Sequence, residues 1–468
     1  MRKRDHCISV ESLLANKMGE MVPIFVNHNH PLLRLKAQLP WDQIREIMVK
    51  RWEEAGKNLD GRPGSPWPVW LYVPLLTLMI IKRMDPRKME EYLSENAVGR
   101  VFVSQQNQLE PQIRDHSSID RAMATLGQQT VEQINQIILK VALKLGFTNL
   151  LSLSADTTVQ ELAIGYPNEP GILRGIAQRC QRALQRLIKK GEADTAIGQA
   201  IEKCKTVFKS VKEHHLFAKT KEEKTRILER LIEETRELFK ETTPIIEKLK
   251  DTLDKVKKGA REKLQSMKEV TDQLIPQIQQ WMKTGKVAKD KILHPVITAA
   301  RAIVKNKIGK KVDFGLKYLV NRLKGGYLFI KEVTKIKSEY KMPPLALEAY
   351  QEIFGKEHTP QRLTYDRGGC SQKTIRQLQK AGVAQIAIQP KGKKQWLIAE
   401  DLQKVAMQER GMTEGSIGTI KSDKYKFNNS KERSHPTITA SAQMSVLSSN
   451  LNKLMRDIVK HLPALKPI

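Results

Sequence analysis

Residues 363–388 constrain this chain more than any other stretch. Leu363-Thr364-Tyr365-Asp366 has the length and apolar character of a strand. Ser371 can cap a helix over Gln372–Ala381, Gly382 can end it, and Val383–Ile388 is strand-like again. Strand, helix and strand in succession make a βαβ unit, which requires a parallel sheet with helices packed on it. Such sheets take ligands beyond the C-terminal ends of their strands, where Asp366 falls. A second stretch, Leu150 to Asp156, alternates small polar and apolar residues and puts Asp156 at a strand's C-terminal end. The two acids are therefore free to converge.

Most of the remaining chain has helical periodicity. Residues 41–52, 69–83, 87–98 and 117–145 carry apolar residues at helical spacing and read as an all-helical unit spanning 1–145. Gly61-Arg62-Pro63-Gly64-Ser65-Pro66-Trp67-Pro68 is a stiff breaker within it. Asp115-His116-Ser117-Ser118 offers N-caps to the last helix, and Gly146 stops that helix. The run Val69–Ile81 contains Pro74 and Thr77 and is shorter than the roughly 20 residues that cross a bilayer, so it reads as a buried core helix. Helical periodicity returns over 172–282, with an apolar stripe from Ile227 to Val256 that Pro244 is expected to break or kink. Lys311–Leu319 and Tyr327–Ile330, joined through Gly325-Gly326, read as a hairpin.

The chain has 468 residues, enough for several domains, and 81 Lys and Arg against 51 Asp and Glu give it a formal charge of +30. Such an excess calls for a polyanionic partner. Over 221–273, 14 basic residues are balanced by 13 acidic ones, as on a solvated helix. Over 283–341, 16 basic residues meet only Asp290, Asp313, Glu332 and Glu339, which makes that segment a candidate phosphate-binding surface. The four cysteines are scattered without a Cys-x-x-Cys pair, and the adjacent His214 and His215 have no ligand spacing to other His or Cys, so neither a disulfide framework nor zinc is indicated. The N-terminus lacks the apolar stretch of a signal peptide, and a cytoplasmic protein with no membrane segment is expected.

One further group of residues carries chemistry. Arg410, Glu414 and Lys421 are spaced by four and seven, which puts a cation, an acid and a cation on one face of a helix. Gly411, Gly415 and Gly418 lower helix propensity there, and they also permit close approach of a nucleic-acid backbone.

Taken in order, Asp156-Thr157-Thr158-Val159-Gln160-Glu161, Tyr365-Asp366-Arg367-Gly368-Gly369 and Glu414-Gly415-Ser416-Ile417-Gly418 resemble the motifs of the DDE transposases of bacterial insertion sequences. Gly61-Arg62-Pro63 and Asp115–Ile119 are similar to that family's N-terminal helical domain, Gly309–Gly315 to its second strand, and Asn450–Leu454 to its closing helix. The resemblance implies a mixed α/β, ribonuclease H-like catalytic core over 146–468, interrupted at about 172–300 by a helical insertion and preceded by a helical DNA-binding domain over 1–145. Asp156, Asp366 and Glu414 would be the catalytic acids and the ligands of two Mg²⁺ or Mn²⁺ ions, for which hard oxygen donors are suited. Arg410 and Lys421 match the spacing of the family's Arg-Glu-Lys signature and would hold DNA-end phosphates. Related enzymes carry a tyrosine three positions before that arginine; here the residue is Met407.

The implied activity is metal-dependent cleavage at transposon ends and attack of the freed 3′-hydroxyl on target DNA, by a homodimer in the nucleoid. Three other readings stand beside it: a DNA-binding descendant that no longer cuts, a metal-dependent nuclease that cuts without joining, and a coiled-coil structural protein. Singly, each acid reads more simply as a turn or surface residue. Trp281 and Trp396 read as packing before base stacking, and His116 reads as structural. Lys391-Gly392-Lys393-Lys394 suits a solvated turn and a phosphate contact equally.

Overall fold

The structure, a computed structural model, describes residues 7–10, 24–57, 59, 68–104, 115–165, 167–192, 194–304, 312–390, 392, 395–428, 430 and 432–464. Along the chain run β1 (Cys7–Val10), β2 (Ile24–Asn27), α1 (Pro31–Gln38), α2 (Trp41–Glu54), α3 (Val69–Lys82), α4 (Pro86–Glu95), α5 (Ala97–Val103), α6 (His116–Thr125) and α7 (Gln128–Lys144). Then follow β3 (Ser152–Glu161), α8 (Glu169–Ile188), α9 (Thr195–Leu216), α10 (Lys221–Lys248), α11 (Lys255–Thr284), β4 (Arg301–Val304), β5 (Val312–Leu323) and β6 (Leu328–Glu332). The C-terminal part holds α12 (Met342–Phe354), β7 (Arg362–Tyr365), α13 (Gln372–Lys380), β8 (Gln385–Ile388), α14 (Glu400–Lys421) and α15 (His435–His461). The protein is thus mixed α/β, with one large mixed sheet and many helices. The breaker read at 61–68 lies, up to Trp67, outside the described residues, as do Gly309 to Lys311 and Lys391, Lys393 and Lys394.

The chain divides into two compact units. One comprises Met1–Glu161, Lys317–Glu432 and Pro436–Ile468, the other Leu162–Leu316 and Arg433–His435. In the first, the sheet order is β5, β3, β7, β8, with β6 paired to β5. β7 is parallel to both neighbours, with Ser154 opposite Thr364 and Tyr365 opposite Ile388, and β6 is antiparallel to β5. The βαβ unit and the hairpin therefore form as the residues suggest. Ser371 caps α13 by accepting from the Thr374 N–H (3.1 Å). At the hairpin turn Gly325 has φ +83, and a Cβ there would stand 2.4 Å from the Phe147 carbonyl oxygen, so both backbone and packing demand glycine.

Helices α1–α7 share one apolar core with this sheet: Trp52, Tyr72, Phe102, Ile119 and Ile138 are buried in the same cluster as Leu153, Tyr327, Leu363 and Leu451. The boundary read at 145 lies inside this unit. Every residue of α3 from Leu71 to Ile81 is buried, and its Thr77 hydroxyl is satisfied by donating to the Val73 carbonyl (2.8 Å). No described helix is long and apolar enough to cross a membrane. Asp115 caps α6 from the Ser117 and Ser118 N–H groups (2.8 and 3.1 Å), while His116 Nδ1 rests 3.2 Å from Glu90, a structural role.

Helix α15 is buried along most of its length and is attached by polar groups. The Asn450 amide receives the Leu328 N–H (2.9 Å) and donates to the Leu328 carbonyl (2.7 Å) and to Asn135 of α7 (2.7 Å). Asn452 donates to the Ile81 carbonyl at the end of α3 (2.9 Å), and Tyr327 donates to Asp457 (2.7 Å).

The second unit is built on α8–α11, whose facing stripes, among them Leu173, Cys180, Leu184, Cys204, Leu231, Leu238, Leu264 and Leu274, form one core. The mixed charge read over 221–273 lies on its surface, where Lys203–Glu237 and Arg230–Glu213 tie α9 to α10. Pro244 does not end its helix: α10 continues to Lys248, because Leu238 and Phe239 before it and Ile245 and Ile246 after it are buried on one stripe. In this unit β4 pairs antiparallel with residues 312–315 of β5.

Replacing Asn450 by Ala should strand the Leu328 N–H in the core and leave its carbonyl to the Asn135 amide alone (3.1 Å). An orphaned buried polar group costs about 1–3 kcal/mol, so urea unfolding should show a loss of at least that size with an unchanged m-value.

Candidate active site

Parallel pairing of β3 and β7 decides where the two aspartates stand. Their ladder matches Ser152 with Arg362, Leu153 with Leu363 and Ser154 with Thr364. Asp156 and Asp366 each lie two residues beyond the last matched pair, so they follow Ser154 and Thr364 on one face of the sheet. Asp156 is not at the end of its strand as read above: β3 continues to Glu161. The strand goes on because it leaves β7 but keeps β5 as its neighbour. Asp366 follows β7 directly and opens a single 3₁₀ turn, Arg367–Gly369. In that turn a Cβ at Gly369 would lie 2.5 Å from the Tyr365 ring and 2.8 Å from Pro343, so the second glycine of the pair is fixed by packing.

Helix α14 lies over this face and brings the third acid. It forms in spite of Gly411, Gly415 and Gly418, which all face open space with nothing within 4 Å of where a Cβ would stand. Its register is set by Glu409. That carboxylate receives Arg362 through Nε (3.0 Å) and Nη2 (2.6 Å) and the Thr364 hydroxyl (2.8 Å). Burial raises the Glu409 pKa, but Arg362 and Thr364 outweigh burial and hold it below the usual value. One turn on, the Thr413 hydroxyl lies 2.7 Å from that of Ser154. With Glu409 and Thr413 fixed over Ser154 and Thr364, the next residues round the helix, Arg410 and Glu414, reach the aspartates.

Arg410 Nη2 is 2.9 Å from Asp366 Oδ1, and its Nε is 3.5 Å from Glu414 Oε1. Asp156 accepts the Thr157 N–H (2.7 Å), yet its pKa is pushed up to about 6, first by burial and further by Asp366 and Glu414, with Arg410 opposing them. The structure therefore brings Asp156, Asp366, Glu414 and Arg410 together. Lys421 is the last residue of α14, about 10 Å along the axis from Glu414. Met407 is exposed on the same helix.

Among the described residues, as their side chains stand, no three His, Cys, Asp or Glu make a metal cage. The guanidinium of Arg410 stands as a cation between Asp366 and Glu414, while Asp156 keeps a carboxylate whose charged form is disfavoured. Three hard oxygen donors near one cation, with burial and repulsion only partly offset at the most buried of them, fit a divalent ion.

Behind Asp366, the Tyr365 hydroxyl donates to Glu339 (2.8 Å), whose other oxygen meets Lys317 (2.5 Å), so burial and the Glu339 carboxylate drive the tyrosine pKa far up. Neither this chain nor the Glu409–Arg362 pair is apparent from sequence spacing. The partners are 47 residues apart in one case and 22 and 26 in the other. The only one-dimensional trace is that Arg362 and Thr364 share a strand face. Trp396 packs against Ala387, Ile398 and Ala406. Compared with models of protein families, with curated proteins and with solved structures, the chain matches none.

Two measurements check this geometry. Glu409→Ala would leave the half-buried Arg362 without its carboxylate and should cost about 1–3 kcal/mol in denaturant unfolding. An acid whose folded pKa lies above its unfolded value stabilises below the unfolded pKa and loses that contribution as pH rises through the folded one. Asp156→Asn should therefore unfold at higher denaturant than wild type at pH 7, by about 2 kcal/mol, and the gain should fade between about pH 6 and pH 4.

Proposed function

We propose that the protein is a DNA transposase acting through Asp156, Asp366 and Glu414 on a ribonuclease H-like core. The observation that carries the reading is the convergence of these three acids, from two parallel strands and one helix, around a single cation. The strand order supports it: a central strand with a hairpin on one side and two parallel strands on the other, its first acid on the central strand and its second just after the adjacent one. The helical segment between β3 and β4 occupies the place of an insertion. The charge of +30 suits a DNA substrate.

Asp156, Asp366 and Glu414 would hold two Mg²⁺ or Mn²⁺ ions, which when bound supply activation of the attacking hydroxyl and stabilisation of the leaving oxygen. Asp156, on which Asp366 and Glu414 both act in repulsion, would be one of the ions' ligands. Arg410, released from Asp366, would hold a phosphate of the DNA end, and Lys421 would hold one further along the same helix. Helices α1–α7 would bind the element's ends, and a homodimer would act on both.

Purified protein is incubated with labelled candidate end DNA and a target plasmid, in Mg²⁺ or Mn²⁺ and in chelator, with Asp366→Ala alongside. Metal-dependent joined products that vanish in the variant, with end binding retained, are expected. Cutting without joining would replace the reading by a nuclease, and binding without cutting by a DNA-binding descendant. Independently of activity, Mg²⁺ or Mn²⁺ should raise the melting temperature of wild type and not of Asp156→Asn.

A further inference from the structure

The helical unit carries a group of cations for which the site above has no use. Helix α8 presents Arg179, Arg182 and Arg186 at spacings of three and seven, on one face and over about 10 Å of axis. Its one acid, Glu169, lies at the far N-terminal end and is paired with Lys291. Lys263, on α11 packed against α8, is exposed beside Arg186 and Arg179. Arg433 comes from a segment far along the chain, 433–435, that belongs to this same compact unit, and it lies beside Arg179 and His294.

These groups repel one another. Burial first and then the neighbouring Arg433 and Arg182 lower the Arg179 pKa, and burial with Arg186 and Arg179 lowers that of Lys263. His294 contributes no charge of its own: its Nδ1 accepts the Val296 and Ile297 N–H groups (3.2 Å each), and burial with Arg179 and Arg433 pushes its pKa down to about 4. Concentrated like charge destabilises the free protein and is relieved by a ligand of opposite sign. Other cations of this unit, Lys203, Arg230, Lys248 and Lys257, are instead each set against a carboxylate.

We propose that Arg179, Arg182, Arg186, Lys263 and Arg433 form a binding surface for the phosphate backbone of duplex DNA. Arginine predominates in it, and the planar guanidinium fork matches phosphate oxygens two at a time. The row on α8 is long enough to follow several consecutive phosphates of one strand, whose charges recur about every 3.4 Å of helix axis. Contacts of this kind position a duplex without reading its sequence. The choice of DNA among polyanions rests on the transposase reading; the surface itself does not.

The test uses the full chain in EDTA, where no cleavage intervenes, and a fluorescent duplex of mixed sequence titrated over a series of salt concentrations. Arg179→Ala/Arg182→Ala/Arg433→Ala should bind more weakly at every salt concentration, with the slope of log K against log salt reduced by about 2–3. The matching triple Lys variant should keep most of the slope. Without DNA the Ala triple variant should melt at or above the wild-type temperature, since like charges have been removed. Wild-type affinity and slope in a folded Ala variant would overturn the proposal. So would an Ala variant that binds DNA normally but loses binding to duplex RNA or to polyglutamate. Loss of DNA binding here, with no metal-dependent joining by wild type in the cleavage assay, would sustain the surface and sink the transposase; joining by wild type with an unchanged slope here would do the reverse.

Discussion

The half-buried pair of Glu409 and Arg362 governs the arrangement of the candidate site. A strand contributes Arg362 and Thr364, a helix contributes Glu409, and the two charges satisfy each other where water reaches them only in part. A carboxylate that receives three donors cannot shift by one residue along α14 without leaving an orphaned charge. The pair therefore sets the rotation and height of the helix over the sheet. Arg410 and Glu414 reach Asp366 and Asp156 as a consequence, as does the exposure of the glycine-lined side of α14. The ion pair contributes specificity of position more than stability.

The rest of the first unit serves the same end by different means. Asn450 acts on Leu328 as a neighbouring strand would, receiving its N–H and donating to its carbonyl, and so fixes α15 to β6 without a ladder. Tyr365, Glu339 and Lys317 brace the strand end from which Asp366 projects. Polar groups inside the core are costly unless paired, and here the paired ones join elements that apolar contact alone would leave free to slide. Asp156 differs: the Thr157 N–H and Arg410 offset its burial and its acidic neighbours only in part, and its pKa stays raised.

Much of this was legible in the residues. The βαβ unit at 363–388, the hairpin through Gly325-Gly326, the Asp115 and Ser371 caps and the buried helix at 69–81 all follow from local rules acting over a few residues. The misreadings have local causes as well. Pro244 does not break α10, because buried residues on both sides of it hold the helix. The alternation that stops at Asp156 points to a strand end there, but a strand ends where its last neighbour ends, and β5 continues.

By itself the sequence determined the elements and the groups available to them: three acids and an arginine spread along the chain, and an excess of positive charge. Only the tertiary structure decided that Asp156 and Asp366 share a register, that Arg410 stands between Asp366 and Glu414, and that Arg179, Lys263 and Arg433 meet on one surface. Local preference is written in neighbours three or four residues apart, whereas a strand register, a buried ion pair and a patch of like charge are set by partners tens to hundreds of residues away. No spacing rule connects those partners before the core has closed.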